Sequence, residues 1–232
     1  MKKTIGIIGI GRFGLSLIES FSHNNVDIIA LDHNKNRVEK ASPLTNYTIV
    51  CDSTDEEALR QAGIEACDHV VVAFGQDEDA NIATTIVTVI RLKKIGIKKV
   101  TVRIDDESFA DTMKLIGADE VVFPLKIASE KIANIISSDS VIDYFNLTDE
   151  FDAYEIALKK TCQSIPIVEL NTRSKYYINI LIIQRDNKYY LPDKNSVLMP
   201  NDHLIIFGRK KDITKIISFF DSFCLESKKD KD

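Results

Sequence analysis

The sequence predicts an α/β protein in which a doubly wound parallel sheet is followed by a small α+β domain. Short apolar runs alternate with amphipathic stretches about six times before Pro124, an order typical of parallel sheets with helices on both faces. The run from His69 to Phe74 is nearly continuous valine, as expected for a strand that is covered on both sides. After Pro124 the rhythm changes and strands follow one another more closely.

Each element of the first half has its own signal in the chain. Apolar runs predict strands at residues 4–8, 26–31, 47–50, 69–74, 100–104 and 120–123. Amphipathic stretches predict helices at residues 12–23, 35–41, 54–63, 77–94 and 108–116. Pro43 stops the second of these helices. Thr54, followed three residues later by Glu57, predicts an N-cap for the third helix.

The second half begins with a helix at 127–137 and a polar break at 137–140. Strands are predicted at residues 154–158, 178–184, 188–191 and 203–207, with helices at 165–170 and 212–223. We therefore assign residues 1–140 to a first domain and 149–225 to a second. The charged tail, 226–232, is expected to be disordered.

Composition restricts the classes of function. The net charge of -5 argues against a nucleic-acid partner, because phosphate binding favours a basic surface. The four cysteines are far apart and form no Cys-x-x-Cys pair, which argues against a zinc site or a disulfide framework and favours a reducing cytosol. The apolar run Ile5–Ile10 is too short for an export signal, and no stretch approaches the ~18 apolar residues of a membrane span.

A glycine motif follows the first predicted strand and opens the first helix. Gly9, Gly11 and Gly14 match G-x-G-x-x-G, and Asp32 ends the second strand 18 residues after Gly14. Such glycines permit a tight turn, close approach to a pyrophosphate and close helix packing, and the acid binds an adenosine ribose. Amides at the helix N-terminus bind phosphate. The first domain is therefore predicted to be a Rossmann-like nucleotide-binding domain.

Other residues are expected to complete this site. Arg12 either contacts a terminal phosphate, which would favour ADP or ATP, or is solvated on the first helical turn. Asp52 and Gly75 follow the third and fourth strands, where ligands bind in such sheets, although the position of Asp52 fits a helix cap equally well. The predicted cofactor site comprises Gly9, Gly11, Arg12, Phe13, Gly14, Asp32, Asp52, Ser53, Gly75 and Arg103. Residues 77–79, all acidic, are most simply helix-dipole complements, and no metal site is predicted.

The sequence offers a binding site but no catalytic set, so we predict that the protein is not an enzyme. None of the four histidines lies in a context that suggests a His-Asp pair. Tyr190 and Lys194 have the spacing of a short-chain dehydrogenase pair, but Pro192 prevents the helix which that pair requires. The alternatives are an NAD(H)-binding redox sensor, an NAD-dependent oxidoreductase and, third, a nucleotide-responsive DNA-binding repressor.

Several stretches resemble the RCK domain, the regulator of conductance of potassium, and its companion C-terminal domain. They are residues 7–14, 31–32, 51–54, 72–75, 115–119, 168–176 and 201–208. The resemblance covers residues 1 to about 220. The order of the two domains is similar to that of the cytosolic regulatory subunits of Ktr/Trk potassium-uptake systems.

The resemblance implies a nucleotide-gated assembly. Homodimers would form an octameric ring beneath a membrane potassium-translocating subunit, in the cytoplasm and peripheral to the membrane. ATP and ADP would favour different ring shapes, with Arg12 on the phosphates and Asp32 on the ribose. The second domain would mediate dimerisation and bind cyclic di-AMP through the matching positions Ile167, Arg173, Asn179, Ile180 and Pro192. Relatives often have Pro-Glu where this chain has Pro124-Leu125, which argues against a cation site there.

Overall fold

The computed structural model describes residues 2–45, 47–74 and 82–226. The chain divides into two compact units, Met1–Lys126 and Ile127–Asp232. Of the sequence-based predictions, Gly75, the acidic residues 77–79 and tail residues 227–232 lie outside the described parts of the chain.

The first unit contains a six-stranded parallel sheet in the order β3-β2-β1-β4-β5-β6. Its strands are β1 (Lys3–Ile8), β2 (Val26–Asp32), β3 (Tyr47–Val50), β4 (His69–Val72), β5 (Val100–Arg103) and β6 (Glu120–Val122). Its helices are α1 (Arg12–Ser22), α2 (Lys35–Ala41), α3 (Glu56–Gln61), α4 (Ile82–Ile95) and α5 (Ala110–Leu115), with short 3-10 helices at Ile64–Ala66 and Glu107–Phe109. The predicted doubly wound sheet is confirmed.

Alternate strand residues supply two apolar faces to this sheet. One face packs Ile7 beneath Ile18 of α1 and Val38 of α2. The opposite face buries Val72 together with Leu92 of α4. The helices therefore change sides between the β1 and β4 halves of the sheet. In open α/β sheets this switch opens a crevice at the carboxyl ends of the strands.

The second unit is built on an antiparallel sheet in the order β11-β10-β13-β8-β7. These strands are β7 (Val141–Asn146), β8 (Phe151–Ala157), β10 (Ile178–Arg185), β11 (Lys188–Tyr190) and β13 (His203–Arg209). A second ladder joins β9 (Ile165–Pro166) to β12 (Val197–Leu198). The remaining helices are α6 (Pro124–Ile136), α7 (Ile167–Leu170), α8 (Thr172–Tyr176) and α9 (Lys210–Glu226). This is the small α+β domain that the sequence predicts.

The division between the units falls earlier than the predicted boundary at 140–149. The segment after the polar break forms β7, which pairs with β8 and belongs to the second sheet. The hydroxyl of Tyr154 on β8 donates a 3.0 Å hydrogen bond to Oδ1 of Asn134 on α6. These contacts assign the second part of α6 to the second unit.

Two local predictions are wrong. The N-cap of α3 is Asp55, not Thr54, because the Asp55 side chain accepts from the amides of Glu57 and Ala58. The expectation that the cysteines do not pair fails at Cys162, which is disulfide-bonded. Cys51 and Cys67 are free and buried.

Candidate functional site

A cleft of about 610 Å³ opens in the first unit at the carboxyl ends of the central strands. It is lined by Ile8, Gly9, Gly11, Asp32, His33, Arg37, Cys51, Asp52, Ser53, Ala73, Phe74, Thr84 and Arg103. Six of the ten predicted cofactor residues are in this set: Gly9, Gly11, Asp32, Asp52, Ser53 and Arg103. The sheet therefore brings together residues from the ends of five strands, β1 to β5, and the outermost of them, Ile8 and Arg103, are 95 positions apart in the chain.

The three motif glycines have different physical roles. Gly9 has a φ of 96°, and a Cβ there would lie 2.7 Å from Cδ1 of Phe74. A Cβ on Gly14 would overlap the carbonyl oxygen of Gly9. A Cβ on Gly11 would meet nothing within 4 Å, although Gly11 lines the cleft. Gly9 and Gly14 thus fix the turn, whereas Gly11 keeps the cleft clear.

The start of α1 can bind an anion. Its N-cap is Gly11, which provides no side-chain hydrogen bond to the first turn. The first amides of a helix have no partner within the helix and carry a partial positive charge. Arg12 is exposed on this first turn and does not line the cleft, nor do Phe13 and Gly14. Backbone amides, more than these side chains, make this helix end suitable for a phosphate.

Asp32 is a buried carboxylate, only 3% exposed, at the end of β2. Its Oδ2 accepts a 2.6 Å hydrogen bond from the amide of Ile10, and its Oδ1 accepts a 2.8 Å bond from the amide of Asn34. Both carboxylate oxygens can accept further hydrogen bonds. Asp32 therefore fixes the glycine loop and still has capacity for the hydroxyls of a ribose.

Arg103, at the end of β5, reaches the cleft from the other half of the sheet. Its guanidinium lies 5.3 Å from the centre of the Phe13 ring on α1. Its Nη2 pairs with Oδ2 of Asp105 at 3.0 Å, and its Nε is buried with no hydrogen-bond partner among the described residues. Phe13 therefore does not line the cleft itself but contacts Arg103, which does.

The segment directly after β3, residues 51–53, also lines the cleft. Asp52 accepts hydrogen bonds from the hydroxyl and the amide of Thr54, and these bonds lower the pKa of Asp52. The hydroxyl of Ser53 lies 2.8 Å from that of Thr88 on α4. Burial, together with the charge of Asp52, raises the pKa of Cys51 to about 11, so its thiol is neutral near neutral pH.

Sequence analysis missed seven of the described lining residues, namely Ile8, His33, Arg37, Cys51, Ala73, Phe74 and Thr84. Nδ1 of His33 lies 3.4 Å from Oδ1 of Asp32, and Nη1 of Arg37 lies 3.8 Å from Oδ2. Position alone would have found Cys51, which directly follows the strand predicted at 47–50, and Phe74, which ends the strand predicted at 69–74. Arg37 comes from the first turn of α2 and has no such signal.

A second cleft of about 910 Å³ lies in the second unit. Its lining residues are Ile167, Val168, Asn171, Thr172, Arg173, Ile180, Pro192, Asp193 and Lys194. Four of the five predicted second-ligand residues are among them. Asn179 is not, because it points away from its neighbour Ile180 along β10, where it pairs with Phe207 of β13.

Two further properties concern the described residues only. None of the helices in residues 2–45, 47–74 and 82–226 is long and apolar enough to cross a membrane. The same residues contain no group of three or more histidine, cysteine or acidic side chains that could bind a metal ion. Leu125, which follows Pro124 at the start of α6, is exposed.

Comparison with known proteins matches both units. The TrkA-N domain matches residues 5–124, and the TrkA-C domain matches residues 156–221. Among solved structures, the GsuK channel bound to NAD aligns with a TM-score of 0.63 at 15% identity, over 95% of this chain and 40% of that chain. The TrkA-N domain of an inner membrane protein from Escherichia coli aligns with a TM-score of 0.51 at 14% identity, over 59% of this chain and 98% of that one. These structures support the Rossmann-like fold.

Relatives in Bacillus subtilis are similar over almost their whole length. The Ktr system potassium uptake protein C is 33% identical over 216 residues, which are 93% of this chain and 96% of that protein. The Ktr system potassium uptake protein A is 30% identical over 214 residues, which are 92% and 95% of the two chains. The resemblance stated from the sequence is confirmed. The chain belongs to the family of TrkA-N and TrkA-C domain proteins that includes the Ktr system potassium uptake proteins.

Proposed function

We propose that this protein is a regulatory subunit of a potassium uptake system and that its first domain, residues 1–140 in the sequence-based assignment, binds ATP and ADP. The observation that carries the proposal is that three features suited to binding a nucleotide lie in the same cleft. The open position at Gly11, the uncapped start of α1 and the buried carboxylate of Asp32 share that cleft. A phosphate chain and a ribose are the groups that such an arrangement binds.

Charge favours a ligand with a terminal phosphate over a dinucleotide. Arg103 faces the cleft close to the start of α1, and Arg12 lies on the first turn of that helix. Guanidinium groups bind phosphate oxygens through paired hydrogen bonds. NAD(H) is the alternative ligand, because Asp32 would bind its unphosphorylated adenosine ribose equally well.

The cleft supports binding better than hydride transfer. The one histidine among the described lining residues is His33, which lies beside Asp32 at the proposed ribose end. A dehydrogenase needs an acid or base beside the nicotinamide, at the opposite end of the ligand. We therefore propose a binding protein without catalytic activity.

A second ligand site is proposed in the C-terminal domain, 149–225 in the sequence-based assignment. Ile167, Arg173, Ile180 and Pro192 line one cleft and match the positions that the family resemblance implies for cyclic di-AMP. Apolar side chains can pack against adenine, while Arg173 supplies a cation for phosphate. Asn179 is the weakest member of the proposed set, since it does not line this cleft.

The proposed mechanism is a shift between assemblies. Homodimers would join into an octameric ring that docks on a membrane potassium-translocating subunit from the cytoplasmic side. A nucleotide can shift such a ring only through a difference in its affinity for two ring shapes. Typical coupling is ~1–3 kcal/mol per site, and several sites in one ring would add.

Thermal melting tests the proposal directly. Purified protein is melted with ATP, ADP, NAD, NADH and cyclic di-AMP in parallel, where a ligand at about 100 times its Kd adds roughly 2.7 kcal/mol. We expect stabilisation by ATP, ADP and cyclic di-AMP and little by NAD(H). Preference for NADH together with turnover of a hydride acceptor would overturn the proposal in favour of an oxidoreductase.

A titration of Arg12→Ala with ATP and with ADP resolves the role left open for that residue. We expect a larger loss of affinity for ATP, because only ATP offers a third phosphate. Equal losses for the two ligands would contradict a terminal-phosphate contact. Potassium uptake through the membrane subunit, measured with and without this protein and with ATP or ADP, then tests gating.

A further inference from the structure

Arg103 is largely buried beside the start of α1. Its side chain is 14% exposed, and its guanidinium lies 5.3 Å from the centre of the Phe13 ring. Phe13 is the second residue of α1, so the guanidinium lies close to the helix end at which a phosphate is expected. The cation therefore lies near the end of the cleft at which a phosphate is expected.

The partner of Arg103 is an acid from its own chain segment. Nη2 of Arg103 lies 3.3 Å from Oδ1 and 3.0 Å from Oδ2 of Asp105, two residues further on. Both carboxylate oxygens thus contact the same nitrogen. In an ideal bidentate pair, two guanidinium nitrogens would each donate to a different carboxylate oxygen. Asp105 itself is 19% exposed and does not line the cleft.

The pair with Asp105 leaves one buried donor of the guanidinium without a hydrogen bond. Nε of Arg103 is buried and makes no hydrogen bond in the described structure. A buried donor without a partner is unfavourable, so the pair with Asp105 is not the best arrangement open to Arg103. An oxyanion that engaged Nε and a terminal nitrogen together would satisfy both.

We propose that Asp105 is an internal anion that holds Arg103 until a nucleotide phosphate displaces it, and that this competition lowers the affinity for polyphosphate nucleotides below the value that an unpaired Arg103 would give. The inference rests on the proposed function, since it requires a nucleotide in the cleft. Asp105 is a positioning residue that acts through Arg103. Ligands with more phosphate charge compete better with its carboxylate, so ATP should displace Asp105 more completely than ADP, and ADP more completely than AMP.

The test measures affinities for ATP, ADP and AMP by isothermal titration calorimetry in wild type, Asp105→Asn, Arg103→Gln and the double variant. Asp105→Asn should tighten ATP binding about five- to tenfold, ADP less, and AMP by less than about twofold. Arg103→Gln should weaken ATP binding. In the Arg103→Gln background, Asp105→Asn should change ATP affinity by less than about twofold, because its effect passes through Arg103.

Asp111→Asn is the matched control, since it removes an exposed negative charge of α5 that does not line the cleft. Melting of each variant checks folding, and Arg103→Met replaces Arg103→Gln if the latter unfolds. Unchanged or weaker ATP binding by Asp105→Asn overturns the exchange, as does equal tightening in the Arg103→Gln background, which indicates general repulsion. If wild type binds none of the nucleotides, the proposed function itself fails.

Discussion

The amide of Ile10 donates a 2.6 Å hydrogen bond to Oδ2 of Asp32, and this bond joins the glycine loop to the end of β2. The other oxygen, Oδ1, accepts from the amide of Asn34, which is the N-cap of α2. One buried side chain therefore fixes both the phosphate-facing loop and the start of the next helix. The proposed ribose ligand and the shape of the loop depend on the same carboxylate.

Asp32→Asn is expected to reduce both stability and affinity. Both oxygens of Asp32 face backbone donors, and an amide presents a donor to one of them, which leaves a buried amide hydrogen unpaired. The expected loss is about 1–3 kcal/mol in the free energy of unfolding, measured by chemical denaturation. ATP affinity should fall more than that of 2′-deoxy-ATP, because the carboxylate is proposed to contact the ribose hydroxyls.

Asp27→Asn is the matched control on the same strand. Asp27 forms an exposed pair with Lys2 at 2.6 Å, with about half of each side chain accessible. Its loss should cost at most about 1 kcal/mol and leave both ligands unaffected. Equal affinities of wild type for ATP and 2′-deoxy-ATP would contradict the role of Asp32 in binding ribose.

Gly14→Ala should destabilise the protein, whereas Gly11→Ala should leave its stability unchanged. A methyl group on Gly14 overlaps the carbonyl oxygen of Gly9, so we expect a loss of about 1–3 kcal/mol or more in stability. A methyl group on Gly11 meets no atom within 4 Å, and its φ is -74°, which alanine adopts freely. Gly11→Ala should therefore melt like wild type.

Nucleotide binding separates these two variants further. The methyl group of Gly11→Ala occupies the space that a phosphate would need, so ATP affinity should fall at least about tenfold, or 1.4 kcal/mol, in a well-folded protein. Calorimetry and melting on the same samples check both statements. Full ATP affinity in Gly11→Ala would contradict binding of phosphate at the start of α1.

The parallel sheet could be predicted because its signals are local. Continuous valine in β4 and the glycine motif after β1 depend only on neighbouring residues. The site was predictable where it follows strand ends, as at Asp32 and Asp52. Arg37 was missed because its place in the cleft depends on how α2 packs on the sheet, and no motif records that packing.

The second domain was harder to predict for a similar reason. β7 lies at the edge of its sheet and leaves Ile142 and Phe145 substantially exposed, so its residues lack the clean alternation of a half-buried strand. Pairing with β8, a long-range contact, makes this segment a strand. Asp105 shows the same limit, because it lies in the connection after the strand predicted at 100–104, where no motif indicates its ion pair with Arg103.

Arg185→Met is expected to destabilise the second domain. Nε and Nη2 of Arg185 each lie 2.7 Å from a carboxylate oxygen of Asp202, which is fully buried, and Nη2 also donates to the carbonyl of Val197 on β12. Removal of the cation leaves a buried charge without its partner. Because Arg185 is 29% exposed, we expect about 2–3 kcal/mol, less than for a fully buried pair.

Arg185→Met should also weaken ligand binding in the second cleft. β12 pairs with β9, which directly precedes α7 and the lining residue Ile167. Affinity for cyclic di-AMP should therefore fall, while ATP affinity remains as in wild type. Lys159→Met, which removes a cation 3.6 Å from the exposed Asp139, is the control and should be nearly neutral. An unchanged melting temperature in Arg185→Met would contradict a stabilising role for the pair.

Asp152→Asn should stabilise the protein at neutral pH. Burial raises the pKa of Asp152 above its ordinary 3.8, and the nearby Glu130 acts in the same direction, whereas Lys210 and Tyr144 oppose the shift. The native state therefore holds the proton more tightly than the unfolded chain. Stability is lost as pH rises from the ordinary value through the folded pKa, and asparagine, which cannot ionise, avoids that loss.

The gain in melting temperature should accordingly disappear as pH falls below 3.8, where the carboxyl is protonated in both states. Asp143→Asn is a control of opposite sign. The ion pair with Lys131 lowers the pKa of Asp143, so its carboxylate stabilises the native state above the ordinary value, and asparagine should not raise the melting temperature at neutral pH. A lower melting temperature for Asp152→Asn at neutral pH would mean that attraction to Lys210, 3.7 Å away, outweighs burial.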